Sequence, residues 1–115
     1  MIKITSDKRI MISRGDSRVI PCRFRGASRA PEDGTVAVMT LKRNYNDKDN
    51  IWVKKYIVID GRFSIQLTRD DTYNLLNDVS YFYDIQLRYQ DGEQYTLIPP
   101  TQFKVLGVCG DAEIG

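Results

Sequence analysis

SYFYDIQLRYQDGEQYTLIPPTQFKV, residues Ser80–Val105, carries the clearest structural signal in the chain. From Tyr81 to Tyr89 the odd positions are Tyr81, Tyr83, Ile85, Leu87 and Tyr89, all large and apolar or aromatic. From Asp84 the even positions are Asp84, Gln86 and Arg88. A period of two marks a strand with one buried face. Asp91-Gly92 follows, a dipeptide suited to the positive φ angles of a tight hairpin turn. A second β-rich run, Gln94–Ile98, returns along the first. Pro99-Pro100 removes two backbone donors, so the strand is expected to stop there and resume over Gln102–Val105. Such a hairpin needs further strands to cover its apolar face.

Those strands are visible upstream. Ile2–Thr5 and Arg9–Ser13 are short β-like runs, and Arg14-Gly15-Asp16 is a turn before Arg18–Phe24, where Ile20, Cys22 and Phe24 share a face. Pro21 makes that strand an edge or marks a bulge. Residues 25–34 read as a loop. Thr35–Lys42 is apolar on both faces, as a central strand would be. Asn44–Asn50 is a polar loop. Ile51–Ile59 is β-rich and holds the single tryptophan, Trp52. Asp60-Gly61 is a second hairpin turn, leading into Phe63, Ile65 and Leu67 in alternation. Thr68-Arg69-Asp70-Asp71 starts one or two helical turns over residues 69–76, with Tyr73, Leu75 and Leu76 placed to plug the core. Asp71 is shorter than the usual Glu or Gln of a capping box. Residues 107–115 form a flexible tail.

About seven strands, closely spaced turn signals and no long helix describe one all-β domain over residues 1–106. The expected form is an immunoglobulin-like antiparallel β-sandwich with a short helical turn between its sheets. A small barrel is the rival. In the sandwich, Tyr81 or Tyr83 turns its hydroxyl back toward the helical turn as a tyrosine corner, or simply packs in the core.

Length and composition agree with this. A chain of 115 residues, 42% hydrophobic and 28% charged, forms one ordinary core. The net charge of +2 is unevenly spread: residues 1–30 hold eight Lys/Arg against two acids, and the remainder is net acidic. That imbalance fits solvent-facing charges on strands, stacking subunits with complementary ends, or a nucleic-acid face. The last is disfavoured, because Arg18, Arg23 and Arg25 straddle both faces of one strand. No apolar run reaches the roughly 18 residues of a membrane span. The N-terminus lacks the apolar segment of a signal peptide. Cys22 and Cys109 are too few for a disulfide framework, and Cys22 reads as a small core residue.

The chain contains no histidine, which removes the commonest general base and metal ligand together. No catalytic, metal or cofactor site is expected. Asp70-Asp71 is better explained by the positive end of a helix dipole than as an acid/base pair. Residues 44–50 are rich in oxygen ligands, but they lack the glycine and terminal glutamate of a calcium loop and include Lys48. Arg14-Gly15-Asp16 spells an adhesion tripeptide that a turn between strands needs anyway.

Taken in order, certain groups form a recognisable set. They are Arg14-Gly15-Asp16, Gly34-Thr35-Val36, Asp60-Gly61 before Phe63–Leu67, Thr68–Thr72, Tyr81–Gln86, Asp91-Gly92 and Tyr95–Leu97 up to Phe103–Val105. Over about residues 9–106 this resembles the small all-β virion proteins encoded among tail and baseplate genes of phages and prophages of Gram-positive bacteria. In pattern it is similar to the N-terminal β-sandwich domain of phage baseplate upper proteins. Those continue into long receptor-binding extensions, whereas this sequence stops at Gly115. The resemblance implies a non-enzymatic virion structural protein, made in the host cytoplasm. It would serve as a tail or baseplate adaptor or assembly subunit, contacting other virion proteins and itself. A capsid decoration protein is the first alternative. A phage-encoded module directed at a host protein or surface glycan is the second.

Candidate partner-binding residues are Ile2, Lys3, Arg9, Arg14, Arg25, Arg29, Tyr45 and Trp52. The arm 1–7 and the tail are expected to order only on a partner. Tyr45 and Trp52, if surfaced on one side, would mark a protein or carbohydrate site, but the place of Trp52 in a β-rich run favours its burial, which would remove that anchor. Pro21 and Pro99-Pro100 would guard free strand edges.

Overall fold

Tyr81, Tyr83, Ile85 and Leu87 all face inward and are buried, as their alternation requires. The computed structural model describes residues 2–23 and 29–107. In chain order its elements are β1 (Ile2–Ile4), β2 (Ile10–Ser13), β3 (Arg18–Arg23), β4 (Val36–Lys42), β5 (Trp52–Ile57), β6 (Arg62–Leu67), α1 (Arg69–Tyr73), β7 (Ser80–Arg88) and β8 (Gln94–Leu106). The strands form a six-stranded sheet, β1-β2-β8-β7-β4-β5, and a two-stranded sheet, β3-β6. This is an all-β sandwich. The order β8-β7-β4-β5 is that of the G, F, C and C′ strands of an immunoglobulin domain, and β3-β6 stands where strands B and E do. The facing sheet is therefore reduced to its central pair.

The pairings are antiparallel with one exception: β2 runs parallel to β8, with Ile10 beside Phe103 and Ile12 beside Val105. The purely antiparallel expectation misses this, because pairing between the first and last strands leaves no local sequence mark. The exception seats two β-branched side chains in the core. β1 corrects a second expectation. The arm is no partner-dependent tail over Ile2–Ile4 but a strand paired with β2.

Inward-facing Met39, Leu41, Ile85, Leu87, Phe103 and Val105 from the large sheet meet Phe63, Ile65 and Leu67 from the small one. β4 lies between β5 and β7, so both its edges are paired, as a central strand requires. Ala37, Met39 and Leu41 face the core, and Val38 on the outer side is buried as well. α1 links β6 of the small sheet to β7 of the large one. Leu75 just after it is buried, whereas Leu76 is exposed rather than plugging the core. The Thr68 N–H donates to Asp71 Oδ2 at 2.7 Å, so the short aspartate does reach back across the helix start. The tyrosine corner is Tyr81: its hydroxyl accepts the Leu76 N–H at 2.9 Å. The Tyr83 hydroxyl instead donates to the Lys8 carbonyl.

Two turns with similar sequences differ. Asp60 and Gly61 both take positive φ, 54° and 68°, and close a two-residue turn between Ile59 and Arg62. Beyond that single bridge the flanking strands part, β5 into one sheet and β6 into the other, so no hairpin forms. At Asp91-Gly92 only Gly92 has positive φ, and the Tyr89 N–H reaches the Glu93 carbonyl at 2.9 Å. The loop is thus three residues long, a turn closed by a left-handed glycine.

β8 also corrects the expected break at Pro99-Pro100, since it runs unbroken from Gln94 to Leu106. Its register against β7 slips on either side of Ile85, so the prolines fall in a bulge where no ladder donor is required. Because β2 pairs only with Phe103–Leu106, the first half of β8 has no strand on its other side among the described residues.

Candidate interaction surface

β5 is an edge strand, with β4 on one side and no strand on the other among the described residues. Its alternation divides two kinds of work. Trp52, Lys54 and Tyr56 point inward and tie the sandwich together. Lys54 Nζ and the Tyr56 hydroxyl both donate to the Gln66 carbonyl on the free edge of β6, at 2.9 and 3.1 Å. Tyr56 stacks on Phe63, and burial pushes its hydroxyl pKa up to about 12. The Trp52 Nε1–H donates to the Asp71 carbonyl at 3.0 Å, and the indole sits edge-on against Phe103.

The opposite set points outward. Val53 and Ile57, with Ile51 and Ile59 just beyond the strand ends, are exposed, Ile57 and Ile59 by more than 60%. Lys55 is the single charge among them. On β4, Val36 lies beside Ile57 and Thr40 beside Val53, so the apolar stripe is more than one strand wide. Farther along the same face, Tyr45 is exposed and packs edge-on against Phe82 at 5.8 Å. Long, flat, apolar edges invite pairing with another chain, and most proteins blunt them. Here one lysine does so.

The outward face of the large sheet is basic. By strand alternation it presents Lys42, Lys55, Arg88 and Lys104 against Asp84, among the described residues. Burial pushes the Asp84 carboxyl above its ordinary range, and nearby Lys42 only partly opposes this. The folded state therefore holds the Asp84 proton more tightly than the unfolded chain does. Stability through this group falls as pH rises from the unfolded toward the folded pKa. Asp84→Asn is expected to raise the urea midpoint at pH 7 and leave it unchanged near about pH 3, where the carboxyl is neutral in both states. An equal shift at both pH values would refute the burial penalty.

The remaining sequence candidates scatter. Arg9 is exposed and pairs with Asp7 at 3.0 Å. Arg14 Nε donates to the Tyr73 carbonyl at 2.7 Å, with its guanidinium over the Tyr73 ring. Arg29 binds Asp91 and Glu93, each at 2.7 Å, and Glu32 at 3.2 Å, and it lies 4.3 Å above the Tyr89 ring. The hydrogen bonds it donates to Glu93 and Asp91 raise its pKa further still. Arg29 thus clamps one loop to the β7–β8 turn. Ile2 and Lys3 lie in β1, and Arg25 lies outside the described residues, as does Cys109.

Trp52 is corrected. It faces inward while Tyr45 lies on the outward side, so the two do not form one aromatic site. Within the basic N-terminal segment, Arg9, Arg14 and Arg29 spend their charge within the molecule. Its acidic counterpart is a real cluster: Glu32, Asp33, Asp60, Asp91 and Glu93 gather at one end, where Asp33 also accepts the Asp60 N–H at 2.8 Å. Among the described residues no group of three or more His, Cys, Asp or Glu is placed to hold a metal ion. Among those residues no helix is long and apolar enough to cross a membrane. Compared with protein-family models, curated proteins and solved structures, the chain shows no match in any of the three.

Proposed function

We propose that this protein is a non-enzymatic assembly subunit that works through protein–protein contacts, within a phage virion as the sequence resemblance implies. The observation that carries the assembly reading is the apolar outer side of edge strand β5, Ile51, Val53, Ile57 and Ile59, broken only by Lys55. Two such faces meeting directly would oppose Lys42, Lys55, Arg88 and Lys104 with their own copies. A head-to-tail contact instead brings the basic, apolar face of one copy to the acidic end of the next. Heterologous contacts of this kind close into rings when the rotation permits. The tail or baseplate setting rests on the resemblance alone.

The test is the mass of the full chain in solution across concentration and from about 0.05 to 1 M salt. A defined oligomer that weakens with salt is expected, and Ile57→Asp should reduce it to monomer without changing the thermal midpoint. A wild-type chain that stays monomeric throughout, or an oligomer indifferent to Ile57→Asp, defeats assembly through this strand.

A further inference from the structure

β6 has its free edge covered by Lys54 and Tyr56, but β3 has no such cover among the described residues. Between β3 and the unpaired first half of β8 the sandwich is open, and the opening is a groove of about 580 Å³. This lies within the roughly 300–1,000 Å³ of small-molecule sites. Its floor is apolar and buried: Ile10, Phe63 and Ile65. Half-buried Ile20 and Ile98 form facing walls. The Tyr83 hydroxyl at the floor is already spent on the Lys8 carbonyl.

The rim is where charge enters. Lys8 and Arg23 both line the mouth, are exposed, and take part in no ion pair among the described residues. Asp7, the acid on the same rim, is held by Thr5 and by Arg9, whose hydrogen bonds keep its carboxyl below the usual range. Burial raises the Cys22 thiol, while a hydrogen bond from Ile65 and the charge of Lys8, which also lines the groove, pull it back.

We infer that the groove binds a free medium-chain alkyl carboxylate, with its chain on Ile10, Phe63 and Ile65 and its head between Lys8 and Arg23. An added peptide strand fits less well, because Pro21 on β3 and Pro99-Pro100 on β8 remove ladder donors from both flanking edges. A bilayer fits less well too: the apolar surface is recessed and the rim is charged, so a single chain can enter where a membrane face cannot. A polar ligand would find no unspent partner on the floor. This inference stands apart from the assembly reading and survives its failure.

The test uses the full chain carrying Cys109→Ser, so that Cys22 is the one thiol. Dodecanoate is titrated by calorimetry below its micellar concentration, and the rate of Cys22 alkylation is followed in parallel. Saturable binding is expected, with alkylation slowed about tenfold at saturation. Lys8→Glu with Arg23→Glu should weaken dodecanoate binding about tenfold or more while circular dichroism stays unchanged. Dodecyltrimethylammonium and phosphatidylglycerol vesicles should neither bind nor protect Cys22. Absence of saturable binding, equal binding of the cationic detergent, equal protection by vesicles, or indifference to the charge reversal would each overturn the assignment.

Discussion

Phe103→Ala is expected to cost about 4 kcal/mol of unfolding free energy, the largest loss from any single side chain in this domain. Phe103 is fully buried on β8 and has the aromatic neighbours Trp52 and Tyr83, both edge-on with centroids 6.1 and 6.2 Å away. Its backbone pairs with Tyr81 on β7 and with Ile10 on β2. It therefore sits at the one place where the parallel pairing, the long hairpin and the tryptophan meet. Truncation leaves a cavity walled by rigid strands on both sides, which cannot collapse, and that puts the cost toward the upper part of the range for large-to-small changes. Small domains hold only about 5–15 kcal/mol in total, so the variant should be substantially unfolded on warming. The measurement is the urea midpoint with its slope, set against Tyr45→Ala on the exposed face, expected to change by less than about 0.5 kcal/mol. A loss below about 2 kcal/mol for Phe103→Ala would mean that β8 is not packed between β2 and β7 as described.

Phe103 also illustrates what the amino-acid order discloses. Its place on a β-run was legible, and so was the burial of Tyr81, Tyr83, Ile85 and Leu87, because a period of two is a local property. The start of α1 was legible for the same reason, whereas the corner hydroxyl stayed open between Tyr81, Tyr83 and plain core packing, because both tyrosines share the inward face. The parallel neighbour of Phe103 was not, since β2 lies some ninety residues upstream and pairing over that distance carries no local mark. Pro99-Pro100 misled because proline forbids a ladder donor, and a bulge needs none.

The candidate surface failed differently. Ile51–Ile59 is apolar at odd and even positions alike, so periodicity cannot say which set faces out. Trp52 stood out by size and proved to be the inward member, whereas Val53 and Ile57, unremarkable as letters, form the exposed stripe. The groove, assembled from five separate stretches of chain, has no linear signature at all.

Asp71→Ala is expected to be the most damaging change to a charged residue, costing about 3 kcal/mol. The Asp71 carboxylate accepts the Thr68 N–H at the start of α1 and pairs with Lys54 from β5, and its own carbonyl takes the Trp52 indole N–H. One residue thus joins the helical turn, the edge strand and, through Lys54 and the Gln66 carbonyl, the small sheet. Both side chains are mostly buried, Lys54 at 22% and Asp71 at 13% exposure, so an orphaned charge is poorly solvated. The residual exposure keeps the cost below that of a fully buried pair. The two losses are unequal. Asp71→Ala strands the Lys54 ammonium with one carbonyl and uncaps the helix. Lys54→Met leaves Asp71 its Thr68 N–H and the helix start, and should cost only about 1 kcal/mol. In the double variant the charge no longer lacks a partner, so the combined loss should fall short of the sum by about 1–2 kcal/mol. Trp52, the only tryptophan, supplies the probe, since its emission should shift when the helical turn carrying the Asp71 carbonyl loosens. Losses that add to within about 0.3 kcal/mol would show the pair to be uncoupled, leaving Asp71 to act through the helix cap alone.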